Sequence, residues 1–174
     1  MIPVVSIVGK SKSGKTTLIC ALIKELKNQG YKIATIKHDI HGFDIDKPGK
    51  DTWKHGEAGA DAVVIASPYK MALIERLETE RSIDDIVENK LDRDTDLILT
   101  EGYKKGPKPK IEIVRTQKDP EPLCGQEDKL LAFAAQNPGQ IEKKAQRLGV
   151  PVYDWEDYTG LTNFILNQFQ IKCR

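Results

Sequence analysis

The sequence has no excess of charge of one sign and no apolar run long enough to cross a membrane. Of its 174 residues, 27 are Lys or Arg and 26 are Asp or Glu, which gives a formal net charge of +1. Nucleic-acid-binding domains are usually strongly basic, so this balance argues against a nucleic-acid partner. The apolar runs fall far short of the ~20 residues that a membrane-spanning helix needs. We therefore expect a cytoplasmic protein of one compact domain, residues 1–174, with no membrane partner.

Cysteine and arginine are also scarce. Cys20, Cys124 and Cys173 are odd in number and far apart, and no Cys-x-x-Cys pair occurs. This pattern argues against a disulfide framework and a thiolate zinc site, and it predicts free thiols. The six arginines are scattered, the closest pair being five positions apart. Kinases of small substrates often close an arginine-bearing lid over the transferred phosphoryl group, so a kinase is disfavoured but stays an alternative.

Apolar runs of strand length alternate with segments of helical length, which predicts an α/β fold with a mostly parallel, twisted sheet between helices. We predict strands at residues 4–8, 32–37, 97–100, 111–114, 130–134 and 152–153, and helices at 16–28, 51–60, 82–90, 139–148 and a last one to about 169. The runs 61–66 and 71–74, separated by Ser-Pro-Tyr-Lys, predict a small β-hairpin inserted into the sheet.

The segment Gly9-Lys10-Ser11-Lys12-Ser13-Gly14-Lys15-Thr16 matches the pattern G-x-x-x-x-G-K-[ST] between a predicted strand and a predicted helix. Glycines let the backbone curl so that several N–H groups converge on phosphate, and the following helix adds its positive end. In such a loop the lysine, here Lys15, reaches the β- and γ-phosphates, and the hydroxyl of Thr16 holds Mg²⁺. The segment therefore predicts a P-loop that binds a nucleoside triphosphate.

Lys10 has two interpretations. A lysine at the second position marks a subclass of dimeric P-loop proteins in which it reaches the nucleotide of the partner subunit. Ser11 and Lys12, however, stand where that subclass usually has glycines. The alternative is a solvated lysine that adds positive charge near the phosphates.

A magnesium–nucleotide site also needs a carboxylate at the end of a neighbouring strand, because Mg²⁺ takes oxygen ligands. Glu101 follows the apolar run 97–100, and Gly102 lets the backbone turn beside it. Asp39, at the end of the second strand, is the other candidate for the metal or for positioning water. We therefore assign Lys15, Asp39 and Glu101 to catalysis and Thr16, Asp39 and Glu101 to the metal; the alternative for Asp39 and Glu101 is a capping or surface acid.

The chain has three histidines, His38, His41 and His55, and they fall within eighteen positions. The first two lie in the loop 38–50, which is long enough to suspect a binding role. Three interpretations stay open: a transition-metal site with Asp44 and Asp46, polar contacts to a phosphorylated ligand, and simple loop structure.

Base recognition is less clearly encoded. Asn89-Lys90-Leu91-Asp92 matches the N-K-x-D pattern that recognises guanine in many GTPases, but it ends a predicted helix, so we interpret it as coincidence. The segment 135–137, Ala-Gln-Asn, follows a predicted strand and is better placed, without choosing between guanine and adenine. Lysines at positions 104, 105, 108 and 110 predict either a positive lip over the phosphates or a solvated loop.

Several motifs in order resemble the molybdopterin-guanine dinucleotide biosynthesis protein B (MobB) family. They are the loop 9–17, Thr-Ile-Lys-His-Asp at 35–39 with His41, Phe43 and Asp46, Pro-Gly-Lys-Asp-Thr-Trp at 48–53, Ala-Gly-Ala at 58–60, Thr-Glu-Gly-Tyr-Lys at 100–104, and Pro-Lys-Ile-Glu at 109–112. The similarity covers roughly the first 115 residues, and the remainder agrees mainly in its pattern of strands and helices.

The resemblance implies a three-layer P-loop NTPase fold similar to the dethiobiotin synthetase branch. It implies a homodimer that binds GTP with Mg²⁺, hydrolyses it weakly, and assists a MobA-type guanylyltransferase that joins GMP to molybdopterin. The cofactor-binding residues would then be positions 9–17 together with His38, His41 and Gly102. A metal-delivery GTPase is a further alternative, although a clearer His/Cys cluster would be expected there.

Overall fold

The computed structural model describes residues 1–115 and 121–172. By its contacts the chain divides into two compact units, one formed by Met1–His38 with Leu91–Arg174 and the other by Asp39–Lys90. Folding as a single domain, as we expect from the length, stays a prediction. Cys173 lies outside the described residues. None of the described helices is long and apolar enough to cross a membrane.

Eight strands and five helices account for the regular structure of the described residues. The strands are β1 Val4–Val8, β2 Ile33–Lys37, β3 Ala62–Ala66, β4 Met71–Glu75, β5 Leu97–Glu101, β6 Lys110–Val114, β7 Leu130–Ala135 and β8 Val152–Asp154. The helices are α1 Lys15–Asn28, α2 Asp51–Glu57, α3 Ile83–Lys90, α4 Glu142–Leu148 and α5 Tyr158–Gln168.

The first unit contains a six-stranded sheet in the order β2-β5-β1-β6-β7-β8. All five pairings in it are parallel, so the strands end at one edge. Alternate residues of the central strands face opposite sides, as the period of a strand requires. On one side they pack against α1 and α5, and on the other β7 packs against α4. The predicted α/β fold with a mostly parallel sheet between helices is confirmed.

The second unit contains α2, the antiparallel hairpin of β3 and β4, and α3. The predicted hairpin is confirmed, but it forms a two-stranded sheet of its own, so the prediction that it is inserted into the main sheet is wrong. The helix predicted over 82–90 is present, and the hydroxyl of Ser82 accepts a hydrogen bond from the Asp85 N–H at 3.1 Å. This contact is the serine cap that the sequence favours.

Two predicted helices are shorter than expected. The helix predicted over 139–148 begins at Glu142, because Pro138–Gln140 forms a 3₁₀ turn ahead of it. The helix predicted over 51–60 ends at Glu57, and Gly59 takes a φ of 102° two residues later. A residue in that left-handed region cannot continue a right-handed helix.

Candidate functional site: a phosphate loop at the carboxyl edge of the sheet

The loop between β1 and α1 needs glycine at both of its ends. Gly9 has a φ of 151°, and a Cβ atom there would lie 2.6 Å from the backbone oxygen of Ile113 on β6. Gly14 has a φ of 101° and is the N-cap residue just before α1, and among the described residues no side chain caps that helix. The first N–H groups of α1 are therefore available to an anion, as in phosphate-binding loops.

Lys15 is held inside this loop. Its Nζ donates to the backbone oxygens of Lys10 at 2.8 Å and Gly9 at 3.3 Å. Partial burial lowers the pKa of the Lys15 ammonium; the Glu101 carboxylate raises it, and the positive charges of Lys104 and Lys37 lower it. Three ammonium groups therefore act on the same small region, which suits a polyphosphate of high negative charge.

Thr16 and Glu101 meet although they are 85 positions apart in the chain. The Thr16 hydroxyl donates to both carboxylate oxygens of Glu101, at 2.9 and 3.1 Å. Glu101 ends β5, and the parallel registers place it beside Ile7 of β1 and Lys37 of β2. A hydroxyl and a carboxylate in contact are hard oxygen donors, which is the chemistry that Mg²⁺ requires. The donor set fits the predicted metal.

The backbone after Glu101 turns sharply. Gly102 and Tyr103 have φ values of 100° and 52°. A Cβ atom at Gly102 would lie 3.3 Å from the backbone oxygen of His38. The rings of His38 and Tyr103 are stacked, with centroids 4.4 Å apart and planes at 19°. The predicted binding residues His38 and Gly102 thus lie together at the ends of the neighbouring strands β2 and β5.

The residues in the middle of the phosphate loop differ in their exposure to solvent. Ser11 and Lys12 are exposed, and Lys12 has a φ of 59°, the left-handed region usual for glycine. Ser13 is 2% exposed, and its hydroxyl has no hydrogen-bond partner within residues 1–115 and 121–172. A polar atom buried in this way is a candidate ligand group, because leaving it unpaired costs free energy.

Asp39 and His41 belong to the second unit. Asp39 Oδ1 accepts a hydrogen bond from the His41 N–H at 3.0 Å, the pattern of a local Asx turn. Asp46 Oδ1 likewise accepts from the Lys47 N–H and the Thr52 hydroxyl. The roles of Asp39 in catalysis and metal binding, and of His41 in cofactor binding, stay predictions.

Nothing in the described structure favours a transition-metal site or a kinase lid. Within residues 1–115 and 121–172 no three His, Cys, Asp or Glu residues are grouped to hold a metal ion. Arg81 pairs with Asp85 at 2.8 Å, and Arg76 donates to the backbone oxygen of Gly56, so both arginines are engaged within the second unit.

The N-K-x-D segment is not at a strand end. Asn89 and Lys90 end α3, where their side chains bond to Asp85 and Glu75. Gln136 follows β7 as predicted, and its Oε1 is buried with no hydrogen-bond partner in the described chain. The predicted placement of both segments is confirmed, whereas contact of Gln136 with a base stays a prediction.

Two buried residues of β6 hold neighbouring loops in place. Glu112 is 1% exposed and accepts hydrogen bonds from the N–H groups of Leu123 at 2.6 Å and Cys124 at 2.8 Å. Lys110 is 3% exposed and donates to the backbone oxygen of Gly106 at 2.8 Å. Lys110 therefore belongs neither to a positive lip nor to a solvated loop. Burial also raises the pKa of the Cys124 thiol, which is free, as is Cys20.

Sequence reasoning missed one cleft beside the phosphate loop, which we name the Trp155 cleft. It has a volume of about 170 Å³, and its walls include Thr17, Ile113, Arg115, Trp155, Glu156 and Tyr158. The available signal was positional, since Arg115 and Trp155 directly follow β6 and β8. In an open α/β sheet, ligands bind at the carboxyl ends of the strands.

Comparisons with known proteins agree with this geometry. The family model of molybdopterin guanine dinucleotide synthesis protein B (MobB) matches residues 4–136. A molybdopterin-guanine dinucleotide biosynthesis adapter protein of Haemophilus influenzae is 38% identical over 143 residues, which is 82% of this chain and 79% of the relative. The protein of that name from Escherichia coli is 33% identical over 174 residues, which is 98% of this chain and 95% of the relative.

Solved structures extend the likeness to the whole fold. A crystal structure of molybdopterin-guanine biosynthesis protein B has a TM-score of 0.76 at 32% identity, covering 96% of this chain and 99% of that one. Bacillus subtilis MobB has a TM-score of 0.75 at 25% identity, covering 99% and 100%. The sheet of the first unit is accordingly that of a three-layer P-loop NTPase. On the family match and these identities, the chain belongs to the MobB family.

Proposed function

We propose that this protein binds GTP with Mg²⁺ and acts as an adapter in molybdenum-cofactor biosynthesis, assisting a guanylyltransferase that attaches GMP to molybdopterin. The observation that carries the proposal is the contact between Thr16 of the phosphate loop and Glu101 of β5 in a chain of this family. Its relatives are named adapter proteins of molybdopterin-guanine dinucleotide biosynthesis.

The arrangement supports binding more than fast hydrolysis. Thr16 and Glu101 supply oxygen donors for Mg²⁺, and the bound cation would neutralise charge on the β- and γ-phosphates. Lys15 adds positive charge to the loop, and Lys104 and Lys37 lie close enough that, after the larger effect of burial, their charges also lower the Lys15 pKa. Fast phosphoryl transfer also requires a group that orients the attacking water. Asp39 is our candidate for that group, and we propose that GTP hydrolysis is weak. We also propose that the protein is a cytoplasmic homodimer.

Thermal-shift measurements with GTP, ATP and CTP, each with and without Mg²⁺, test nucleotide binding directly. A ligand that binds only the folded state stabilises by mass action, about 2.7 kcal/mol at one hundred times its Kd. We expect the largest shift with GTP and Mg²⁺ together. A shift of equal size without Mg²⁺ would contradict the metal assignment, and no shift with any nucleotide would contradict the proposal.

The adapter role needs a second measurement. We expect this protein to increase the yield of molybdopterin guanine dinucleotide in a reconstituted reaction of a guanylyltransferase, molybdopterin and GTP. The matched control is the Lys15→Ala variant at the same concentration, because it keeps the surface of the protein while removing a phosphate contact. An equal yield with and without this protein would contradict the adapter role.

A further inference from the structure

The Trp155 cleft adjoins the phosphate loop through the first turn of α1. Gly14, the N-cap residue of α1, and Thr17 are among its lining residues. Its volume of about 170 Å³ is smaller than the ~300–1,000 Å³ of sites for drug-sized ligands. This inference rests on the proposed function, in which the phosphates lie along residues 9–16. The cleft is then large enough for one base of the same nucleotide and close enough to receive it.

Three acids lie at the turn that precedes α5, and the carboxylate of one of them forms no hydrogen bond or ion pair with the described residues. Asp154 Oδ1 accepts from the Glu156 N–H at 2.8 Å, and Asp157 Oδ1 accepts from the Gly160 N–H at 2.9 Å. Glu156 lines the cleft and is exposed, and within residues 1–115 and 121–172 its carboxylate forms no hydrogen bond or ion pair. A charge with no structural role beside a cleft is available to a ligand.

Arg115 presents the complementary charge to the same cleft. Its guanidinium lies over the Trp155 ring, with Cζ 5.8 Å from the ring centroid, within the range of a cation–π contact. Its Nε is buried and has no hydrogen-bond partner among residues 1–115 and 121–172. What Arg115 brings to the wall of the cleft is therefore the positive charge of its guanidinium beside the Trp155 ring.

We propose that the Trp155 cleft receives the guanine base and that Glu156 determines the specificity for guanine, with Arg115 as its complement. Guanine carries donors at N1 and N2 and acceptors at O6 and N7, whereas adenine carries an acceptor at N1 and a donor at N6. A carboxylate only accepts hydrogen bonds and a guanidinium only donates them. At the edge that carries N1, Glu156 therefore matches the N1 and N2 donors of guanine and opposes the N1 acceptor of adenine, while Arg115 can donate to O6 or N7. Trp155 and Tyr158 supply aromatic surface for the ring.

The Glu156→Gln variant tests this assignment when the dissociation constants of GTP, ITP, XTP and ATP are measured with Mg²⁺. In the wild type we expect GTP to bind more tightly than ITP, which lacks the 2-amino group. Loss of the carboxylate should weaken GTP binding by about ten- to hundredfold, the range for a hydrogen bond to a charged group. It should also raise the affinity for XTP, whose carbonyl at C2 can accept from the new amide N–H. Glu127→Gln, an exposed acid of the same unit, is the matched control.

A second measurement separates the base from the phosphates. In a Trp53→Phe background Trp155 is the only tryptophan, and we expect GTP to change its emission while inorganic tripolyphosphate does not. Arg115→Gln should weaken the binding of GTP more than the binding of tripolyphosphate. An equal loss of affinity for both ligands would overturn the role of Arg115. An unchanged ratio of GTP to XTP affinity in Glu156→Gln would overturn the inference while leaving the proposed function standing. A wild type that binds none of these nucleotides would overturn both.

Discussion

Two five-residue apolar strands behave differently in the two units. In the first unit, β5 has four of its five residues buried, and the fifth is Glu101 of the site. In the second unit, β3 has the more apolar sequence Ala-Val-Val-Ile-Ala, yet none of its residues is buried. β5 is paired on both sides, by β1 and β2, whereas β3 is paired only with β4. Apolar composition thus predicted both strands, but the number of neighbouring elements decided their burial.

The exposed hairpin gives the second unit a surface unlike that of the central sheet. Val64, Met71 and Leu73 lie on one face of the hairpin and Ile65 on the other, and all four are more than two-fifths exposed. Contiguous exposed apolar side chains often mark contact surfaces for other proteins. The homodimer stays a prediction, which the molar mass in solution, measured by light scattering, checks.

The largest expected effect is on the free energy of unfolding, and it tests the difference in burial between β5 and β3. Leu99→Ala, in β5, should lower the free energy of unfolding by about 2–5 kcal/mol, because Leu99 is 0% exposed and its truncation leaves a cavity. Val64→Ala, in β3, should cost about 1 kcal/mol or less, because Val64 is already 56% exposed. Urea unfolding of both variants measures the difference. Equal losses would show that Val64 is covered in solution.

The next effect concerns nucleotide binding, which we place on the first unit. Lys15→Ala should weaken GTP binding by about ten- to hundredfold, because charged hydrogen bonds to phosphate are lost. The fold should remain intact, since Lys15 contributes charge to the loop and nothing to the core. Calorimetric titration with GTP measures the loss, with the exposed Lys24→Ala on the same helix as control. Equal affinity in wild type and Lys15→Ala would contradict the assignment of the phosphate loop.

Glu101→Gln is expected to have a smaller effect, confined to the metal. An amide is a poorer partner for a hard cation than a carboxylate, so GTP binding with Mg²⁺ should weaken by about tenfold. Binding without Mg²⁺ should change little, because the Thr16 hydroxyl can donate to the amide oxygen instead. A Mg²⁺ titration of GTP binding in both proteins provides the measurement. If the titration is unchanged, Glu101 does not hold the metal.

The sequence was most informative for the phosphate loop, because all of its parts lie in one short segment. The strand 4–8, the glycines at 9 and 14 and the helix that follows are contiguous, so spacing alone placed the phosphate loop. The position of Glu101 beside the loop was also predictable, because an apolar strand that ends in an acid and a glycine places that acid at the edge of the sheet, where Thr16 contacts it. Its role at the metal stays a prediction. The Trp155 cleft was missed because its walls come from residues 14–18, 113–115 and 155–158, which only the parallel registers of β1, β6, β7 and β8 bring together.

The smallest effect on nucleotide binding is expected from the loop 38–50, most of which lies in the second unit. His41→Ala with Asp46→Ala should leave GTP affinity within a few-fold of wild type, because the phosphate contacts that we assign to Lys15, Thr16 and Glu101 are unchanged. The same variant should stimulate dinucleotide formation less, since we place this loop in transfer or ligand coupling. Product formed in the reconstituted guanylyltransferase reaction, beside GTP affinity for the same protein, is the measurement.

Controls within the same unit keep this last prediction specific. Asp46 Oδ1 accepts from the Lys47 N–H and the Thr52 hydroxyl, so Asp46→Ala removes a tie between the loop and α2. His41→Ala with Asp46→Asn retains an acceptor at that position and isolates the contribution of the histidine. His55→Ala, an exposed histidine of α2, controls for loss of a histidine as such. Full stimulation by the double variant would remove the loop from the functional site, whereas loss of GTP binding together with stimulation would make it part of the nucleotide pocket.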